Sequence, residues 1–154
     1  SMLTVKDIMT PHPLTVAAEA EIAEAIGLLL KNDFNGLPVV DAAGALVGIL
    51  CQSDLIAQQK KLPTPSLFTL LDGYIPLRSA KHLEKEMKKI AALTVRDAMT
   101  ADPVTVSPET TIEEAATLMV DKSFHTLPVL DGEGNLVGIV GKKDILKPLA
   151  GQGA

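Results

Sequence analysis

Tryptophan is absent from the 154 residues, tyrosine occurs once and phenylalanine three times, so aromatics make up only 3% of the chain. A core must therefore be assembled from Val, Leu, Ile, Ala and Met. A single cysteine, Cys51, excludes an internal disulfide framework. No apolar run approaches the roughly 20 residues that span a bilayer. Met2 to Thr10 carries charges where a secretory signal has an apolar centre. A net charge of −5 leaves no dominant basic field to displace counterions from a nucleic acid. The expectation is a soluble, cytoplasmic protein without membrane insertion and without a nucleic-acid partner. Catalytic signatures are missing too. His12, His82 and His125 are scattered without metal-ligand spacing, and no phosphate-cradling G-x-x-x-x-G-K-[ST] loop occurs. The expectation is a protein that is not an enzyme.

What is present is a repeat. Residues 37–54 read LPVVDAAGALVGILCQSD, and ninety positions later residues 127–144 read LPVLDGEGNLVGIVGKKD. Residues 3–60 align with 93–150 without a gap, giving 25 identities in 58 positions against about four by chance from ordinary composition. Two long units indicate a duplicated half-domain, not a solenoid. The two units hold 3 basic with 7 acidic and 5 basic with 9 acidic side chains, while the connector 61–92 holds 6 and 3. Neither half of about 58 residues should be comfortably stable alone.

Each half reads β-α-β-β-α, an α/β (α+β) pattern. Thr4 and Thr94 are placed to cap a short helical turn through Met9 or Met99, closed off by Pro13 or Pro103. Leu14-Thr15-Val16 and Val104-Thr105-Val106 are short β-prone runs. Ser107-Pro108-Glu109 reads as a helix start, with Ser as N-cap and Pro at the first helical position. Ile22, Ala25, Ile26 and Leu29 recur at helical spacing, as do Ile112, Ala115, Ala116 and Met119. Asp41 to Gly44 and Asp131 to Gly134 are hairpin turns. A last helix starts near Ser53 and near Lys143. Three short strands covered by two helices on one face leave the other side bare, so the halves are expected to pack sheet to sheet about a pseudo-twofold axis. In the connector, Leu62-Pro63-Thr64-Pro65 breaks the chain. Residues 79–92 suit a packing helix with Leu83, Met87 and Ile90 on one face and Glu84 beside Lys88.

Taken together, DIMT and DAMT, the PLTV-type strands, FNGLPVVD with FHTLPVLD, and GILCQSD with GIVGKKD resemble the signatures of a tandem cystathionine-β-synthase (CBS) domain pair, or Bateman module. The connector, running into KKIAALTV, is similar to those of free-standing bacterial members. The resemblance implies CBS repeats at 3–60 and 93–150 forming one intramolecular pair. It also implies a regulatory role exercised by binding an adenosine-type ligand in clefts between the repeats. AMP or ADP is the leading expectation, with ATP, NAD and S-adenosylmethionine as other members of the class and no cofactor required. It further implies a homodimer and an effector protein, still unknown, whose conformation or assembly responds.

On that resemblance, Asp54 and Asp144 are the candidate ribose acceptors, because a carboxylate takes two vicinal hydroxyls in bidentate fashion. On spacing alone each Asp reads first as a favourable charge at a helix N-terminus, and it is the resemblance that turns the reading toward ribose. The family usually carries Ser or Thr after the Gly-apolar-apolar triplet. This chain has Cys51 and Gly141 there, which leaves Ser53, Lys142 and Lys143 as candidate phosphate partners. The lysines also suit a solvated helix start. His125 and Asn35 precede the central strands, with His125 the better phosphate donor. Ile8, Met9, Thr15 and Val16, with Ala98, Met99, Thr105 and Val106, are the candidate lining of the base slot. Gly48 and Gly138 permit either close ligand approach or close packing. The alternative function is a ligand-free dimerisation or interaction module that docks on an enzyme or transporter, and the missing Ser/Thr favours it.

Overall fold

The computed structural model describes residues 2–32, 36–59, 93–122 and 124–151. The connector 61–92, with its expected helix and His82, and the candidate Asn35 lie outside the described residues. In chain order the elements are α1 (Val5–Ile8), β1 (Thr10–Pro11), β2 (Val16–Ala17), α2 (Ile22–Asn32), β3 (Gly36–Val40), β4 (Leu46–Cys51) and α3 (Gln52–Gln59). The second copy follows with α4 (Val95–Ala98), β5 (Thr100–Ala101), α5 (Ile112–Asp121), β6 (Thr126–Leu130), β7 (Leu136–Gly141) and α6 (Lys142–Gly151).

The expected β-α-β-β-α order stands in the first half as β2-α2-β3-β4-α3. In the second half the opening strand shrinks to a single parallel bridge, Val106 to Val129. α2 buries Ile22, Ala25, Ile26 and Leu29, the stripe that its spacing predicts. Each hairpin turn is built by its Asp. Asp41 Oδ1 accepts the N–H groups of Ala43 and Ala45, and Asp131 Oδ1 those of Glu133 and Asn135, all at 2.9 Å. The bonds from Asn135, main chain first and then side chain, hold the Asp131 carboxyl below the usual carboxylate range. Gly44 and Gly134 close the turns at φ of 85° and 84°, a region that favours glycine.

One arm of each half is exchanged. The first sheet runs β2-β3-β4-β5, so its last strand comes from the second half, and the second sheet, β1-β7-β6, borrows β1 from the first. The hydrophobic cores follow the same exchange. Val95 and Ala98 pack with Leu37, Leu50 and Leu55, while Val5 and Ile8 pack with Leu127, Val129 and Val140. The short helices dock by their free amide groups. Val5 N–H donates to the Thr110 carbonyl at 2.8 Å and Lys6 N–H to the Pro108 carbonyl at 2.9 Å. In the other copy Val95 and Arg96 donate to Ala20 and Ala18 at 2.9 and 2.8 Å.

This docking corrects one reading of the sequence. Ser107 does not cap a helix that begins at Pro108. The carbonyls of Pro108 and Thr110, which such a helix would consume, are taken by α1, and residues 107–110 fold into a turn. The helix starts later, with Thr111 as N-cap accepting from Glu114 N–H at 3.1 Å. Thr94 caps α4 as expected, and its own N–H donates to Asp97 Oδ2 at 2.9 Å.

Candidate functional site

Asp54 and Asp144 stand third in α3 and α6, where strands β4 and β7 hand over to helices. In each case one carboxylate oxygen turns back on the helix start. Asp54 Oδ2 accepts the Cys51 N–H and Asp144 Oδ2 the Gly141 N–H, both at 2.8 Å. The helix-terminus role is therefore real, and it occupies one oxygen of each carboxylate. The second oxygen distinguishes the copies. Asp54 Oδ1 accepts the hydroxyl of Thr100 at 2.9 Å, delivered by the exchanged strand β5. Asp144 Oδ1 pairs with Lys147 Nζ at 2.9 Å, one turn along the same helix.

Thr100 and its repeat mate Thr10 are site residues that the sequence reading missed. The available signal was their identity at the ninety-residue offset, as the last letter of DIMT and DAMT. The preceding methionines pack against the strand glycines. A methyl group built on Gly48 would meet Met99 Sδ at 2.5 Å and the Thr100 carbonyl at 2.9 Å. One built on Gly138 would collide with Met9 Sδ and lie 3.1 Å from the Thr10 carbonyl. Met9 and Met99 thus lie over the two strand glycines, and those glycines admit the exchanged arms.

Of the other candidates, Ile8, Val16, Ala98 and Val106 have their side chains in the core, at most 7% exposed. They leave only main chain for a base. Thr15 and Thr105 line grooves in which neither Asp54 nor Asp144 takes part. β2 lies at the edge of the first sheet opposite β5, and Thr15 faces a groove of about 490 Å³ shared with His12, Gly44, Glu133 and Asn135. Thr105 lines an outer groove of about 1000 Å³ with Thr111, Glu114 and Asp131. Ser53, Lys142 and Lys143 are exposed at the helix starts. His125 is exposed next to Thr126, which is opposite Gly141.

The position that carries Ser or Thr in the family differs between copies for no steric reason at Gly141. A methyl group there would stand 3.8 Å from both Asp144 Oδ2 and the His125 carbonyl, ordinary contact distance. In the other copy Cys51 is half-buried, and burial, followed by the charge of Asp54, pushes its thiol up to about 11. It stays protonated at neutral pH and lacks the thiolate needed for nucleophilic chemistry. Among the described residues, no three His, Cys, Asp or Glu side chains are grouped to hold a metal, and no helix is long and apolar enough to cross a membrane.

Between the repeats lies a narrow cleft of about 130 Å³ lined by Thr10, His12, Leu14, Gly36, Pro38 and Ile139. His12 on its rim and the repeat mate Asp102, each preceding a proline, sit at φ of 51° and 50°. Non-glycine residues held there cost on the order of 1–3 kcal/mol.

Comparison with known proteins agrees with this architecture. The family model for the CBS domain matches residues 5–61 and again residues 95–151. An uncharacterised protein of Methanocaldococcus jannaschii is 35% identical over 96% of this chain and 92% of its own length. The chloroplastic CBS domain-containing protein CBSX2 of Arabidopsis thaliana is 31% identical over 94% of this chain, which spans 62% of that relative's length. A crystal structure of CBSX2 in complex with AMP superposes with a TM-score of 0.74 at 28% identity, covering 99% of each chain. A CBS domain pair solved with methylthioadenosine and S-adenosyl-L-methionine gives 0.72 at 27% identity, again over 99% of each. The two matched repeats and their exchanged arms make this chain a member of the CBS-domain family, with its repeats arranged as a tandem pair.

Proposed function

We propose that the chain is a regulatory module that binds an adenine nucleotide, AMP or ADP, in the clefts between its repeats and responds by changing shape or assembly. The observation that carries this reading is the Asp54–Thr100 contact: a carboxylate on one repeat and a hydroxyl on an arm of the other, 2.9 Å apart. A ribose gripped by that carboxylate lies against the arm and so touches both repeats at once. A ligand moves an equilibrium only by preferring one arrangement, and bridging two repeats supplies such a preference. The adenosine-type ligands in the two similar crystal structures support the ligand class. On this reading Asp54 and Asp144 hold ribose, Met9 and Met99 border the base, and Ser53, His125, Lys142 and Lys143 face phosphate. Asn35 is proposed, on sequence grounds alone, for the phosphate end of the first cleft, the one at Asp54, the second being the one at Asp144. The site of action is the cytoplasm, and any catalysis or transport belongs to an effector protein.

Titration calorimetry with AMP, ADP, ATP, NAD and S-adenosylmethionine tests this. Asp54→Ala should weaken binding at the first cleft about 10- to 100-fold, the scale of losing hydrogen bonds to a charged acceptor. If none of the five ligands binds at millimolar concentration, the nucleotide reading is lost. The ligand-free interaction module then stands, and the absence of Ser or Thr at Cys51 and Gly141 favours it.

Assembly as a homodimer belongs to the same proposal. Leu30 and its mate Val120 are 49% and 77% exposed, and Ile56 and its mate Leu146 are 47% and 57% exposed. Large apolar side chains left bare at matched positions on the helices of both repeats suit burial against a second copy. Sedimentation velocity should give a dimer for the wild-type chain and a monomer for Ile56→Glu/Leu146→Glu. A monomeric wild type would remove this part of the proposal.

A further inference from the structure

We propose that Lys147 makes the second cleft selective for ligands that carry a phosphate, whereas the first cleft also accepts uncharged nucleosides. This rests on the nucleotide reading above and concerns the difference between its two sites. The carboxylates occupy equivalent places and make the same bond to a helix-start amide. Their outer oxygens do not match. Asp54 Oδ1 accepts a neutral hydroxyl, which a sugar hydroxyl replaces like for like. Asp144 Oδ1 is held by an ammonium at 2.9 Å. The repeat mate of Lys147 is Ala57, so the first helix has no cation at that place.

The surroundings of the pair decide what can displace it. The Asp144 side chain is 12% exposed and that of Lys147 64%. The carboxylate thus has little water to fall back on, while the ammonium has a free path into solvent. A diol that arrives alone must exchange a charge-assisted N⁺–H···O⁻ bond for a neutral O–H···O⁻ bond, which is the weaker of the two. A ligand that also brings a phosphate offers the ammonium a new anion. Lysine is a point charge on a long flexible stem and can follow it. Lys142 and Lys143 begin the same helix, and His125 immediately precedes Thr126, the strand partner of Gly141, so the departing ammonium moves toward other cationic side chains. A cationic adenosine-type ligand gains nothing there.

The test uses the full chain carrying Asp54→Ala, which leaves the second cleft as the remaining site. Calorimetric titration should show AMP binding about ten-fold or more tighter than adenosine, the scale of one charge-assisted contact. Adding Lys147→Ala, which installs the side chain of Ala57, should bring the two affinities within about two- to three-fold of each other. It should do so partly by tightening adenosine, since the competitor for Asp144 is gone. A merely structural role for Lys147 would not tighten any ligand. Lys147→Gln should behave in the same way and guards against a local effect of the shortened side chain. Equal affinities for AMP and adenosine before Lys147 is replaced, or no gain in adenosine affinity afterwards, would overturn the proposal. If the wild-type chain binds AMP but the Asp54→Ala chain does not, this inference falls and the first cleft stands. If the wild-type chain binds neither, both fall.

Discussion

Gly48→Ala is expected to lower the melting temperature by about 5–10 °C, and Gly138→Ala by a similar amount. The strand glycines face the exchanged arms so closely that a methyl group on Gly48 would stand 2.9 Å from the Thr100 carbonyl. Methionine can swing aside, but that carbonyl is main chain in a strand registered against β4 through Gly48↔Ala101 and Ile49↔Thr100. Relief requires β5 to move, and overpacking of this kind costs about 1–3 kcal/mol. For a chain of this size each kcal/mol is worth about 2–4 °C. The two sites lie in different sheets, so the double variant should lose nearly the sum. Met99→Ala combined with Gly48→Ala should recover only the part due to the thioether. Calorimetric scans that show either single alanine variant melting with the wild type would refute the close approach of the exchanged arm.

Deleting residues 2–12 is expected to unfold the second repeat and not the first. The segment lies in the first half of the sequence, yet Val5 is wholly buried among Val129, Val140 and Leu127. Losing Val5 and Ile8 from the core removes about 1.5–3 kcal/mol for each side chain. It also strips β7 of its partner at Thr10↔Ile139 and Pro11↔Gly138, and leaves the Pro108 and Thr110 carbonyls without their donors. Together these losses rival a whole domain's net stability of about 5–15 kcal/mol. Amide exchange should show protection lost across residues 126–141 and retained across residues 36–51. A synthetic peptide of residues 2–12, added in excess, should restore it by mass action. Protection lost equally from both repeats, or from neither, would contradict the exchanged cores.

Much of the fold was legible because the two copies annotate one another. A shared ninety-residue offset, the helical stripe from Ile22 to Leu29, and the paired Asp-to-Gly turns give the order of elements without ambiguity. The exchange of arms was not legible. β1 and β5 contain two residues each, too few to carry a period, and their partners lie a half-chain away. For the same reason nothing local to Thr100 marks it as the partner of Asp54. Ser107 was misread because its local signature is sound, and only a distant helix claiming the carbonyls of Pro108 and Thr110 cancels it. Gly48 and Gly138 were readable as close-approach positions, but what approaches is protein.

The exchanged arms also bear on how such a chain could arise. A lone repeat that offers its first segment to a neighbour, and needs one back, is complete only as a pair of molecules trading segments. That is the arrangement of a domain-swapped dimer. Joining two copies in one chain turns the encounter into an intramolecular one, set by effective concentration and no longer by the abundance of the protein. Fusion also releases the copies from identity. In a swapped homodimer any substitution falls on both clefts together. In the fused chain Ala57 and Lys147, or Cys51 and Gly141, can differ, and one small fold then carries two repeats that vary separately.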